Sequence, residues 1–147
     1  MKHRLCLMCL GLMGFFVHFS AHALNKIDHD LVQQVFQEIC TQGIEEPQWV
    51  MRQAIFETGW MRGTFLMQKN NLFGFRKVKY LQFETWQQSV TYYKEWQVRN
   101  YKTGKESYGD FLKRIRYGAK DYLVHLHKIQ WTQNCPEPLQ QAADPKE

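Results

Sequence analysis

The chain has 147 residues, with 19 Lys and Arg against 14 Asp and Glu, a net charge of +5, and 15% aromatic residues. That length holds one domain with a core of its own and hardly two. Hydrophobic content of 44% and charged content of 22% are those of an ordinary globular protein, not a disordered polyelectrolyte. The aromatic excess suits either a core or a cleft for a flat ligand.

Residues 1–23 read as a signal peptide. "MKHR" is a basic start, "LCLMCLGLMGFFVHF" is an apolar run too short for a comfortable membrane span, and Ala21 and Ala23 are the small residues before a cleavage point. Export to the periplasm or the medium is the expectation, with no stable membrane span after cleavage; an uncleaved anchor is the competing reading. Loss of Lys2 and Arg4 leaves a net charge of +3. Cys6 and Cys9 leave as well, so Cys40 and Cys135 remain as an even pair in an oxidising compartment. Paired, they would close nearly the whole domain, worth roughly 4–5 kcal/mol on a chain-entropy basis; two unpaired buried thiols are the alternative. Without CxxC spacing they make no zinc site.

In the remaining chain, "DHDLVQQVFQEICTQG" has Leu31, Val32, Val35, Phe36 and Ile39 at helical spacing, with Gly43 as a stop. "EEPQWVMRQAIFETG" predicts a second helix, Pro47 in its first turn and Gly59 near its end. "NNLFGF" reads as a turn, and "KVKYLQF" as a brief strand or hairpin using Val78, Tyr80 and Phe83. Thr85 and Gln88 form a capping box ahead of a helix over "TWQQSVTYYKEWQVR". "NYKTGKES" is a loop, and "SYGDFLKRIRYG" and "AKDYLVHLHKIQW" are two more short helices. The Pro-rich tail 136–147 reads as disordered. The expected fold class is α+β, mostly α-helical, a single domain over 24–135 with a small, shortened β element.

Two features carry functional weight. From Arg76 to Arg116 ten Lys and Arg face four acids, Glu84, Glu95, Glu106 and Asp110, which suggests a basic face for an anionic polymer or surface, or simply a solvated one. The second is Glu57, the one acid in "QAIFETGWMRGTFLMQKNNLFGFRK". Apolar and aromatic neighbours, and a place near a helix C-terminus, both push a carboxyl toward its neutral form. A carboxyl that keeps its proton suits a general acid, and glycoside cleavage needs one on the leaving oxygen. An ordinary last-turn residue is the plain alternative. His125 and His127, two apart, are a poor metal pair, and no metal or organic cofactor is expected.

"QAIFETGW", "NNLFGFR" and "YLQFETWQQSVTYYKEWQ", in that order, resemble the glucosaminidase-type domains of glycoside hydrolase family 73, bacterial cell-wall hydrolases; the likeness runs roughly from Pro47 to Ile129. "YGAKDYLVHLHKI" is similar to that family's late Y-A-x-x-x-Y segment. The resemblance implies a lysozyme-like fold and, as partner, the β-1,4-linked glycan strands of peptidoglycan rather than nucleic acid. It implies that Glu57 is the general acid, that Tyr117 lies near the cleavage site, and that Asn71, Leu72, Phe73 and Gly74 shape the cleft wall. Trp60, Phe73, Trp86 and Tyr122 are the candidate aromatic contacts. One departure matters: larger members place a second acid on a β-lobe, whereas here "RKVKYLQF" holds none before Glu84. Glu84 is the candidate second group, although an acid before the helix cap Thr85 also complements the helix N-terminus. Either Glu84 activates a water, or the substrate's own 2-acetamido group attacks with help from Tyr117. A wall-binding protein that lost turnover on the same fold is the alternative function.

Overall fold

The structure, a computed structural model, describes residues 27–137. The expected signal peptide and all but the first two residues of the expected tail lie outside the described residues. The described residues form six helices in order: α1 His29–Thr41, α2 Pro47–Thr58, α3 Thr64–Gln68, α4 Trp86–Asn100, α5 Tyr108–Arg114 and α6 Tyr122–Lys128.

The caps are those that the chain encodes. The Asp28 carboxylate accepts from the Leu31 amide at 3.1 Å, Thr85 from Gln88 at 3.4 Å, and Ser107 from Asp110 at 3.2 Å, each satisfying an otherwise orphan donor. Pro47 opens α2 and Gly59, at φ +56°, closes it. Beyond Gly59 the chain stays left-handed through Trp60 (φ 63°) and Met61 (φ 57°). A residue with a Cβ costs about 1–2 kcal/mol there. Thr58 holds the turn: its hydroxyl donates to the Ala54 carbonyl at 2.6 Å and accepts from the Met61 amide at 2.9 Å. Gly63 folds back onto the Thr58 carbonyl at 2.6 Å.

The apolar stripes meet in one core. Val35 and Ile39 of α1 lie with Val50, Met51, Ala54 and Ile55 of α2, and with Val90 and Tyr93 of α4, Phe111 and Leu112 of α5, and Leu126 of α6. Cys40 and Cys135 form a disulfide, Cα atoms 5.4 Å apart across a separation of 95 residues. It ties the segment after α6 to α1, where Trp131 packs edge-on against Phe36 at 5.1 Å.

The β element is smaller than the sequence suggests. A single antiparallel bridge joins Arg76 and Tyr80, and the segment expected as a strand has Val78 97% exposed at its tip. With no partner strand to cover, its side chains gain nothing from alternation. Two asparagines do the work of a ladder instead. The Asn70 amide donates to the carbonyls of Phe83 (3.1 Å) and Glu84 (2.9 Å). Asn71 donates to Phe75 (2.8 Å) and Leu81 (2.9 Å) and accepts from the Phe75 amide (2.9 Å). The short helix α3, which the sequence reading did not separate from its flanking turns, carries the chain from α2 to this lobe.

Candidate active site

Glu57 sits in the last turn of α2, and three segments converge on it, the lobe, α6 and the turn between α5 and α6. Gly74 of the lobe, at φ +65°, lies so close that a Cβ there would fall 2.8 Å from Glu57 Oε2. The Tyr122 hydroxyl of α6 donates to Glu57 Oε1 at 2.8 Å. The Tyr122 ring is held in turn by Gly118, where any Cβ would collide with it. Tyr117 lies beside Tyr122, ring centroids 5.4 Å apart, and its hydroxyl donates to the Phe73 carbonyl at 2.6 Å. That bond ties the turn after α5 to the lobe, so the two walls meet beside the carboxyl.

The opening between them is a cleft of about 720 Å³, lined by Glu57, Gly74, Phe75, Arg76, Tyr80, Trp96, Asn100, Arg116, Tyr117, Gly118 and Ala119, with Phe73 at its floor. Among the described residues, Glu57 is the one carboxylate in that lining. Burial raises its pKa above the ordinary carboxylate value, and the Tyr122 hydrogen bond, which favours the anion, offsets part of the rise. The phenol of Tyr117 is pushed well up, first by burial and then by the charge of Glu57, so it stays protonated. Behind the site, one helical turn before Glu57, the Gln53 side-chain oxygen accepts from Tyr93 (2.6 Å) and Tyr108 (2.9 Å), and those two hydroxyls also contact each other. This buried network fixes the face of α2 that carries Glu57.

The residues expected at the site separate into two groups. Glu57, Gly74, Tyr117 and Tyr122 come together as described. Asn71 is fully buried with its amide committed to Phe75 and Leu81, so it builds the wall rather than facing a ligand. Phe73 is 1% exposed and packs on Tyr93 at 4.2 Å, offering mainly its backbone carbonyl. Trp60 and Trp86 are half-buried against the core and are not part of the cleft lining. Glu84 is exposed and also outside that lining; it works at the α4 terminus, where its amide donates to Gln88 Oε1 (3.0 Å) and its carboxylate accepts from Gln88 Nε2 (3.3 Å). The cleft also holds residues that the sequence did not place at the site: Tyr80, Trp96, Asn100, Arg76 and Arg116. Among the described residues no group of three or more His, Cys, Asp or Glu is placed to hold a metal, and no helix is long and apolar enough to cross a membrane.

Among the described residues, a mostly helical domain with almost no strand and a lone acid in an aromatic cleft is consistent with a small lysozyme-like domain. The glucosaminidase family, described as mannosyl-glycoprotein endo-beta-N-acetylglucosaminidase, matches residues 33–144; the chain belongs to it and is a glycoside hydrolase acting on peptidoglycan. No curated protein and no solved structure matches the chain.

Proposed function

We propose that the protein is an exported endo-β-N-acetylglucosaminidase that cuts β-1,4 bonds within peptidoglycan strands, with Glu57 as general acid. The observation that carries this reading is the Glu57 carboxyl itself: desolvated, braced by Tyr122 and Gly74, and open to a cleft of about 720 Å³. Export is supported by the leader-like residues 1–23 and by the Cys40–Cys135 disulfide, which an oxidising compartment would maintain.

Because the described residues of the lining include no second carboxylate, substrate assistance is favoured over a water activated by Glu84. The carbonyl oxygen of the 2-acetamido group attacks C1 while Glu57 gives its proton to the leaving O4, so the C1–O4 bond breaks and a cyclic oxazolinium forms. Water then attacks C1, its proton passes to Glu57, and the ring opens with the acetamido group restored. Tyr117 donates its hydrogen to the Phe73 carbonyl, which leaves the phenol oxygen free to accept from the acetamido N–H and orient it. Trp96 and Tyr80 offer faces for the sugar rings.

The test is the chemistry of the ends. Peptidoglycan digested by residues 24–147 is reduced with borohydride and analysed by mass spectrometry. Reduced N-acetylglucosamine ends are expected; reduced N-acetylmuramic acid ends would make the enzyme a muramidase instead.

A further inference from the structure

Glycoside cleavage as described uses no cation, yet the cleft carries two. Arg76 comes from the lobe and Arg116 from the turn between α5 and α6, so each wall of the Glu57 cleft contributes one. Of the other basic residues nearby, Arg99 pairs with Glu95, Lys113 with Asp110, and Arg114 with Glu106 at 2.6 Å, while Lys77, Lys79 and Lys120 lie outside the cleft lining. Among the described residues neither Arg76 nor Arg116 makes a salt bridge, and Glu57 makes none with them. Both side chains are exposed to whatever enters the cleft.

Backbone conformation adds a second, independent observation. Arg116 has φ +54° just past the end of α5, a position glycine fills without strain. An arginine there gives up stability, and what it places at the cleft is a guanidinium.

We propose that Arg76 and Arg116 together bind a carboxylate carried by the glycan strand, so that the cleft selects acid-bearing strands over neutral ones. The inference rests on the reading of this cleft as a glycan site. Guanidinium groups suit the task because their paired N–H donors match the two oxygens of a carboxylate. On peptidoglycan that group is either the lactyl carboxylate of an unsubstituted muramic acid or a carboxylate of the peptide attached to it.

The test is calorimetric binding to the Glu57→Gln chain, which does not consume the ligand. Three soluble tetrasaccharides of alternating N-acetylglucosamine and N-acetylmuramic acid are compared: one with free lactyl carboxylates, one with those carboxylates converted to methylamides, and one bearing peptides. An acidic ligand should bind about tenfold tighter than the methylamide, and added salt should narrow the gap. If the free-lactyl form alone binds tightly, the lactyl group is the anchor; if only the peptide-bearing form does, the peptide carboxylate is. Arg76→Gln or Arg116→Gln should reduce the ratio, and the double variant should bring it near one. Arg116→Gly removes the strain, so it should fold at least as well while losing discrimination. Equal affinity for all three ligands, or a ratio that survives in the double variant, overturns the inference. Turnover of peptidoglycan without charge selectivity sinks this inference alone, whereas charge-selective binding without turnover by the wild-type chain sinks the hydrolase reading alone.

Discussion

Gly74 and Glu57 share one small space: a Cβ added to Gly74 would stand 2.8 Å from the Glu57 carboxyl oxygen, and the φ of +65° already disfavours any other residue. The lobe therefore closes over the acid without displacing it only with glycine at that place. Gly74→Ala should fold with a stability loss of about 1–2 kcal/mol, because the atom it displaces is the end of a flexible side chain. Its turnover should fall more than its stability, since the displaced atom is the one that would hold the proton. Melting temperature and hydrolysis rate, measured together, check this; a lower melting temperature with unchanged turnover would show that the contact is structural only.

Glu57 is raised by desolvation, and Tyr122 pulls it partly back. Turnover should fall as pH rises through that raised pKa, because the acid must hold its proton. Tyr122→Phe removes the bond that favours the anion, so the alkaline limb should move to higher pH, by about one unit. A shift to lower pH would mean that Tyr122 does not donate to Glu57.

The same shift sets a stability signature. The folded pKa of Glu57 lies above its unfolded value, so folding is unpenalised below the unfolded pKa, the penalty grows between the two values, and it is complete above the folded one. Glutamine keeps an oxygen for Tyr122 but no charge. The melting temperature of Glu57→Gln should match the wild type in acid and exceed it increasingly toward neutral pH. A gap that stays constant with pH would place Glu57 in water rather than in a desolvating site.

Glu84→Gln should retain most of the activity and lose a little helix stability, because Glu84 is occupied with Gln88 at the start of α4 and lies outside the cleft lining. A drop of about 10²-fold or more in rate would make it the base of a water-activating mechanism.

Removing the disulfide by Cys40→Ser with Cys135→Ser should destabilise the domain by about 4–5 kcal/mol, since the bridge closes nearly the whole described chain. The urea midpoint should fall accordingly. An unchanged midpoint would mean that the two ends remain joined without it, through Trp131 on Phe36 and Arg52 on the Trp131 carbonyl at 3.0 Å.

The helices were legible because their signals are local: spacing for α1, Pro47 and Gly59 for α2, Thr85 and Gln88 for α4. Glu57 was legible because an acid among aromatics is unusual within a short window. What the sequence hid was long-range or backbone-borne. Asn71 was expected in the cleft wall, but its work there as a buried brace was hidden, because a side-chain amide bridging two carbonyls leaves no periodic trace. Tyr80 and Val78 looked like strand positions, but a strand needs a neighbour and the lobe supplies only the Arg76–Tyr80 bridge. Arg76 and Arg116 were visible only as two among ten basic residues. Their place in the cleft depends on the Tyr117–Phe73 contact, which spans 44 residues of sequence.

The most direct test of the account compares the rate at which residues 24–147 and their Glu57→Gln variant release soluble fragments from purified peptidoglycan, with the variant's fold checked by circular dichroism. The account predicts release by the wild type and a loss of about 10²-fold or more in the folded variant. Equal release by both would remove Glu57 from the chemistry. No release by either, with both sedimenting with the wall, would make the cleft a binding groove and not an active site.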